Sequence, residues 1–298
     1  MSIAEQYQII KALGDQKVRR FGDVYFVESK KDGSKGVLKH VRKSSASQIA
    51  AERLRQEACF TFNHEGLPQT LDFYESESEV LLVRAYATGL PLHTFWLALR
   101  KKERIPFLQD FVTKLIPLFA TLKKEGVVHC DLKPGNILIE GDISDFRVHL
   151  IDFGLALRIH DREERKLLFP LGYAAPELLL HHLDLVDQRT DIFALGIIIW
   201  RLFAGKLPLV HPNPSIYTNI QLTHPLPDDT SLPRGLYAIL RRMSSRHAFQ
   251  MPPNKMDYEE LRACLRGALN ERYVSLTEVA EDLNRLPKPR FYQRISFR

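Results

Sequence analysis

Cysteine is scarce in this sequence, and its few copies lie far apart. The three cysteines among 298 residues are Cys59, Cys130 and Cys264, and no C-x-x-C pair occurs. The sequence therefore favours neither a disulfide framework nor a zinc site, and a reducing compartment is the default environment. On this basis we expect a cytoplasmic protein.

Leader segments and long hydrophobic runs are missing as well. The first residues, Met-Ser-Ile-Ala-Glu-Gln, lack the basic-then-apolar order of a signal peptide and the glycine at position 2 that myristoylation requires. The longest apolar candidate, Ala194 to Ala204, is interrupted by Arg201. No run is expected to reach the length that crosses a bilayer, so the sequence predicts no membrane partner.

Charge of one sign is not gathered into any long run. The net charge is +6 at pH 7, but the 42 lysines and arginines are scattered among 36 acidic residues. This spread argues against a nucleic-acid partner. Residues 287–298 interleave basic and aromatic side chains, and we interpret them as a tail packed on or trailing from the domain.

The sequence does contain a clear change of pattern. Short β-leaning segments separated by glycine-containing turns occupy the first eighty or so residues, with one helix over Ser47 to Phe62. After Thr88-Gly89, long amphipathic segments with helical spacing follow. We predict an α+β fold with two lobes. A small lobe of about 1–84 holds a five-stranded antiparallel sheet and one main helix, a hinge covers about 85–88, and a large, mostly helical lobe covers about 89–286.

The segment from Val127 to Leu138 carries the strongest chemical signal. It contains the pattern H-x-D-x-K-P-x-N, which places a carboxylate at Asp131, an amine at Lys133 and an amide at Asn136. These groups can accept a hydroxyl proton, neutralise a transferring phosphoryl group and hold a magnesium ion, respectively. At frequencies of about 5% for each of its five fixed letters, the pattern arises by chance at roughly one position in 3 million. It therefore predicts phosphoryl transfer.

A second motif, Asp152-Phe153-Gly154, follows sixteen positions after Asn136. Its aspartate ends a short apolar strand, and its glycine lets the chain turn away. A carboxylate in that position can hold a metal ion that bridges nucleotide phosphates. The motif is weak alone, but its spacing from the first one makes it strong.

Together these motifs resemble the eukaryotic-type protein kinase family, in its serine/threonine branch, over roughly Tyr7 to Leu286. The resemblance implies one kinase domain over 1–286, ATP and Mg2+ as cofactors, and a protein substrate with a serine or threonine hydroxyl. By this similarity Lys39 contacts the α and β phosphates, and Glu57, or alternatively Glu52, pairs with it. Asn136 and Asp152 would hold the metal ions.

The resemblance also assigns three structural residues. Glu177, in the A-P-E motif that ends the activation segment, would pair with a late arginine, for which Arg272 fits. Asp191 would hold the backbone of the catalytic loop. His129 would pack against Phe153 as a structural histidine rather than act as a base.

The nucleotide-binding residues depart from the family pattern. The glycine-rich loop keeps its outer glycines, Gly14 and Gly22, and the following Val24, but it lacks the middle glycine and is about three residues longer than the pattern G-x-G-x-x-G-x-V. Lys17, Arg19 and Arg20 could offer charge to phosphates, or form a solvated loop tip. Ala85 and Ala87 would line the adenine pocket at the hinge. Arg84 aligns at the back of that pocket, where it could cap the pocket or turn outward.

The activation segment departs as well. Cys130 stands where many phosphorylation-activated kinases have an arginine, and Leu155 to Gly172 contains no serine, threonine or tyrosine. We therefore predict activity that does not require phosphorylation of this segment. Pro170 replaces a threonine that normally bonds the catalytic aspartate. With no second domain, sensing would come from a regulatory partner protein or from the kinase surface.

Two alternative functions stay open at this point. One is a kinase-fold scaffold that binds nucleotide poorly, which the altered glycine loop and Pro170 suggest. The other is a kinase-fold phosphotransferase for small molecules, because such enzymes share the H-x-D-x-x-x-x-N pattern. Lys133, the A-P-E segment and the Asp191 and Arg272 positions favour a protein kinase, and Lys133 favours serine or threonine over tyrosine as the acceptor.

Overall fold

The computed structural model describes residues 3–13, 22–159, 169–246, 249 and 251–286. Its small lobe begins with a short helix, α1 (Ile3–Gln6), and continues through β1 (Tyr7–Ala12), β2 (Asp23–Ser29), β3 (Lys35–Arg42), α2 (Gln48–Ala58), β4 (Thr70–Glu75) and β5 (Glu79–Ala85). The five strands form one antiparallel sheet in the order β1-β2-β3-β5-β4. The predicted five-stranded sheet with one main helix is confirmed.

Helix α2 packs on one face of this sheet because both surfaces are apolar. Its buried stripe contains Ala50, Leu54 and Glu57, which lie at helical spacing. Leu82 of β5 is fully buried beneath it and packs in the same cluster as Leu54. Burial of a side chain of this size contributes about 2 kcal/mol. The helix ends at Ala58, four residues earlier than the predicted end at Phe62, because Phe60 and Phe62 turn inward to pack around Phe153.

The large lobe is built mainly from helices. They are α3 (Leu92–Ala98), α4 (Arg104–Lys124), α5 (Pro176–Leu179), α6 (Gln188–Ala204), α7 (Pro214–Thr223), α8 (Leu236–Met243), α9 (Tyr258–Glu271) and α10 (Leu276–Asn284). Five short strands complete it: β6 (Leu90–Pro91), β7 (Val127–Val128), β8 (Ile137–Gly141), β9 (Phe146–Leu150) and β10 (Leu157–Arg158). Strands β6, β8 and β9 form one sheet, and β7 pairs with β10. The predicted α+β, two-lobed architecture is confirmed.

Helix α6 is the central helix of this lobe. Twelve of its residues are buried, which is the pattern of a helix surrounded by protein on all sides. The Asp187 side chain caps its first turn by accepting from the N–H of Arg189. Gly205 ends the helix at φ 74°, a left-handed conformation that glycine adopts without steric cost.

Helix α4 corrects the expectation that no run is long enough to cross a membrane. The helical stretch Lys101–Lys124 passes that test by length and composition, and it is the single helix to do so among the described residues. Eight of its side chains, including Phe111 and Leu115, are buried in the main core, and the helix packs against α10. Its hydrophobicity is therefore that of a core helix of this lobe.

Candidate active site

The catalytic loop, residues 129–136 between β7 and β8, is held in place by a side chain of helix α6. The carboxylate of Asp191 accepts from the N–H of His129 at 2.8 Å and from that of Cys130 at 2.9 Å. Burial raises the pKa of Asp191, and the two backbone donors oppose that shift. Cys130 has φ 61°, which is unfavourable for a residue with a side chain. Asp191 thus holds the backbone in a strained turn directly before Asp131.

Replacing Asp191 by asparagine should loosen this turn. The new amide group would face one of the two N–H donors with its own NH2, so one buried hydrogen bond is lost, at a cost of about 1–3 kcal/mol. We expect a lower midpoint of thermal unfolding and a reduced rate of phosphoryl transfer. Asp257→Asn is the matched control, because Asp257 caps α9 by accepting from the N–H of Glu260, and asparagine caps helices as well as aspartate does. Equal losses in the two variants would contradict this role.

The residues of the H-x-D-x-K-P-x-N motif meet at Asp131. Its Oδ2 atom accepts from Lys133 Nζ at 2.6 Å and from Asn136 Nδ2 at 3.1 Å, and its backbone carbonyl accepts from the same Asn136 amide at 2.8 Å. Its Oδ1 atom is buried and has no hydrogen-bond partner among the described residues. One carboxylate oxygen is therefore held in place, and the other is left to accept a hydroxyl proton.

Pro170 lies beside this carboxylate. It lines a small depression together with Asp131, Tyr173 and Ala174. Because proline carries no hydroxyl, it cannot supply the hydrogen bond that a threonine would give to Asp131. The lack of a hydrogen-bond partner at Asp131 Oδ1 is consistent with proline standing in place of threonine at position 170.

Lys39, Glu57 and Asp152 form the second half of the site. Lys39 Nζ contacts Glu57 Oε2 and Asp152 Oδ1, each at 2.7 Å. Burial opposes the charge on Lys39, but the carboxylates of Asp152 and Glu57 outweigh it and raise its pKa. Lys39 in turn holds the pKa of Asp152 well below its usual range. Lys39 and Asp152 are therefore charged together.

The structure places Glu57, and not Glu52, against Lys39. Glu57 is buried, whereas Glu52 lies on the solvent side of α2 and pairs with Arg55 at 2.7 Å. The helical stripe of Ala50, Leu54 and Glu57 is the sequence signal that separates the two glutamates, because Glu52 lies off this stripe.

The DFG phenylalanine is enclosed by aromatic rings. Phe153 lies 4.4 Å from the ring of His129 and 5.1 Å from that of Phe62, measured between centroids. His129 Nε2 also lies 3.1 Å from the carbonyl of Ile151. These contacts leave His129 fully buried in the core, so they suit a structural role.

The structure describes the glycine-rich loop only in part. Gly14, Lys17, Arg19 and Arg20 lie outside the described residues. Gly22 has φ 95°, and a Cβ there would lie 2.4 Å from the carbonyl oxygen of His40, so glycine is required. Val24 pairs with Lys39 across β2 and β3. Ala85 ends β5 and donates its N–H to Gln69, and Ala87 follows in the connection to β6.

Two arginines have contacts that the sequence did not reveal. Arg84 turns inward beneath α2 and is 4% exposed. Arg201, which interrupts the apolar pattern of α6, donates to the hydroxyl of Tyr173 beside the catalytic loop. In both cases the sequence signal for a buried contact was a single charged residue within an otherwise apolar pattern.

The late arginine pairs with the A-P-E glutamate, as the resemblance implied. Arg272 Nη1 contacts Glu177 Oε1 at 2.7 Å, and both side chains have no exposed surface. Thr190 adds a hydrogen bond to Glu177 at 2.8 Å, and the Phe193 ring lies under the Arg272 guanidinium. Burial lowers the pKa of the neighbouring Arg246 to about 9, with Arg272 contributing. This cluster connects the end of the activation segment to the C-terminal end of α9.

Asn136 and Asp152 fit a magnesium site. Asn136 donates its amide nitrogen to Asp131, which leaves its side-chain oxygen for a metal ion. Among the described residues, Lys39 contacts only one oxygen of the half-exposed Asp152 carboxylate, so the other oxygen can serve as a ligand. Magnesium usually binds through one or two protein oxygens plus substrate phosphates and water.

The family profile described as protein kinase domain matches residues 7–251. The chain belongs to the protein kinase family. It is similar to serine/threonine-protein kinase pkn2 of Myxococcus xanthus, with 25% identity over 283 residues, covering 89% of this chain and 33% of the relative. Serine/threonine-protein kinase cds1 of Schizosaccharomyces pombe is 29% identical over 218 residues, covering 68% and 45%. Serine/threonine-protein kinase TIO of Arabidopsis thaliana is 28% identical over 274 residues, covering 90% and 18%. The chain spans less than half the length of each of these relatives.

Proposed function

We propose that this protein kinase transfers the γ-phosphate of ATP, with Mg2+, to a serine or threonine hydroxyl of a protein substrate. The main support for this proposal is the hydrogen bonding of the Asp131 carboxylate and the charge of the Asp152 carboxylate. Asp131 has one oxygen without a hydrogen-bond partner among the described residues, and Asp152 stands charged beside Lys39. The names of the serine/threonine kinases to which the chain is similar support the same acceptor class.

Each side chain then has a defined task. Asp131 Oδ1 orients the acceptor hydroxyl and takes its proton. Lys133, held at 2.6 Å from Asp131 Oδ2, is close enough to stabilise the phosphoryl group as it moves. Lys39 aligns the α and β phosphates, while Asn136 and Asp152 hold Mg2+, which neutralises charge on the phosphates when bound. Catalysis arises from positioning and electrostatics, because phosphoryl transfer requires little covalent chemistry from the protein.

The proposal includes independence from phosphorylation of the activation segment. Leu155 to Gly172 contains no hydroxyl to phosphorylate, and Cys130 provides no arginine to bind such a phosphate. The Lys39 and Glu57 pair is nonetheless formed in the unmodified chain. We expect phosphatase-treated protein to keep its rate within about twofold, since no activating charge is removed. An inactive protein that gains activity on phosphorylation of Tyr173 would contradict this.

The deciding experiment measures transfer of labelled γ-phosphate to the protein itself and to generic protein acceptors. Wild type should label serine or threonine, and Lys39→Met and Asp152→Asn should each abolish labelling. Lys43→Met is the matched control, because Lys43 lies just after β3 and pairs with the surface residue Glu75. Nucleotide binding without turnover in a folded sample would instead favour the scaffold. Transfer only to small molecules would favour the second alternative.

We further propose a cytoplasmic location and control by a partner protein. The location is supported by composition, because the cysteines are few and unpaired among the described residues. Control by a partner is supported by Leu155 to Gly172, which contains no hydroxyl group that phosphorylation could use. Fractionation of cells that produce the tagged chain, followed by capture of bound proteins, tests both statements.

A further inference from the structure

Arg84 is a charged side chain in an apolar row of the small lobe. Val80, Leu82 and Arg84 alternate along β5, and the first two pack in the apolar cluster beneath α2. Arg84 lies opposite Val37 on β3, two positions from the pairing of Leu82 with Lys39. The arginine therefore lies on the same face of the sheet as Lys39, under the end of α2.

Its guanidinium donates hydrogen bonds to backbone carbonyls at and just after the C-terminal end of α2. Nη1 donates to the Phe60 carbonyl at 2.5 Å and to Thr70 Oγ1 at 2.6 Å, and Nη2 donates to the Glu57 carbonyl. Thr70 Oγ1 also donates to the Ala58 carbonyl at 3.3 Å. The Glu57 carbonyl also accepts from the N–H of Phe60 at 3.1 Å. The C-terminal end of a helix carries partial negative charge, so a cation there is favourable.

The same guanidinium also faces the side chain of Glu57. Arg84 Nε lies 3.7 Å from Glu57 Oε1, while Lys39 contacts Glu57 Oε1 at 2.8 Å from the other side. Burial lowers the pKa of Arg84, and the carboxylates of Glu57 and Asp152 oppose that shift. Two cations and two anions are thus grouped, and Arg84 contacts both the backbone and the side chain of Glu57.

We propose that Arg84 is a positioning residue that fixes the end of α2 and so holds Glu57 against Lys39. This role rests on the proposed kinase function, in which Lys39 aligns the phosphates. Because the arginine fork reaches two carbonyls at once, it resists rotation of the helix end in a way that a single hydrogen bond does not. The hydrogen bonds of Arg84 lie within the small lobe, so they do not require a phosphate on the activation segment.

The first test is hydrogen exchange of the amides at positions 56–61, which report opening of the end of α2. Arg84→Met should speed their exchange by about tenfold or more, with little change in α6, because the carbonyl contacts are lost. Arg84→Lys keeps the charge and should give an intermediate rate. Arg55→Met is the matched control, since Arg55 lies on α2 but pairs with Glu52 and Glu75 at the surface. Unchanged exchange in Arg84→Met would overturn the proposal.

The second test is kinetic. Arg84→Met should raise the KM for ATP and lower kcat, with a combined loss in kcat/KM of about 10–100-fold, the range seen when the support of a ligating group is removed. Arg84→Lys should recover part of this loss. In a Glu57→Gln background, the Arg84→Met exchange should change kcat/KM by no more than about twofold, because the two residues act as one unit.

The outcomes separate this role from a purely structural one. A loss of rate that matches only the lost folded fraction, or that adds independently to Glu57→Gln, would overturn the positioning role. If wild type transfers no phosphate, the proposed function fails, and the exchange rates of residues 56–61 then decide on Arg84 by themselves.

Discussion

Asp131→Asn should lower kcat for phosphoryl transfer by about 1,000-fold, with little change in folding, because positioned proton transfer contributes about 10²–10⁴-fold to rates. Asparagine keeps the shape of aspartate. To accept from Lys133 and Asn136, its oxygen must take the position of Oδ2, which accepts from both in the wild type. Its NH2 group then occupies the position of Oδ1. A donor would therefore face the acceptor hydroxyl where a base is needed.

The measurement is steady-state kcat and KM for ATP, together with the midpoint of thermal unfolding. The KM for ATP should stay close to the wild-type value, because Asp131 contacts the acceptor side of the site. Asp142→Asn is the control, since the Asp142 side chain accepts from Ser144 and from the N–H of Asp145 in the exposed turn after β8. A kcat within tenfold of wild type would contradict the assignment of Asp131 as the catalytic base.

Arg272→Met should give the largest loss of stability. It would leave the Glu177 carboxylate fully buried, with Thr190 as its single side-chain donor among the described residues. Removing one partner of a buried ion pair typically costs about 3–5 kcal/mol. For a chain of this size that corresponds to a fall in the unfolding midpoint on the order of 10 °C.

Two variants make this expectation specific. Arg262→Met removes an arginine from an exposed pair with Asp184 at 2.8 Å, and it should lower stability far less, because solvent screens such a pair. The double variant Glu177→Leu with Arg272→Met removes both buried charges, and it should recover part of the lost stability. Equal losses in the two single variants, measured by denaturant unfolding, would show that the buried pair contributes no more than a surface pair.

Much of the fold was predictable from local pattern. The strands of the small lobe and the helices of the large lobe have apolar spacings of 2 and 3.6 residues, so their type follows from the sequence. The end of α2 was not predictable in this way. Residues beyond Ala58 continue to include apolar side chains, but Phe60 and Phe62 leave the helix to pack on Phe153, which is about ninety positions away.

The choice between Glu52 and Glu57 as the partner of Lys39 could have been made from the sequence, although motif spacing alone did not make it. Both Glu52 and Glu57 fit a helix glutamate by type, whereas the apolar stripe through Ala50 and Leu54 selects Glu57. The phase of a helix is local, so this choice could be made before any tertiary contact is known.

The sequence by itself determined the chemistry available to this protein. The order and spacing of Asp131, Lys133, Asn136 and Asp152 are local, and they specify a phosphoryl-transfer site wherever the chain brings them together. Only the tertiary structure decided which way Arg84 points and which oxygen of Asp131 is left unpartnered. The physical reason is that both depend on contacts between distant segments, where burial forces each polar atom to find a partner that local pattern does not specify.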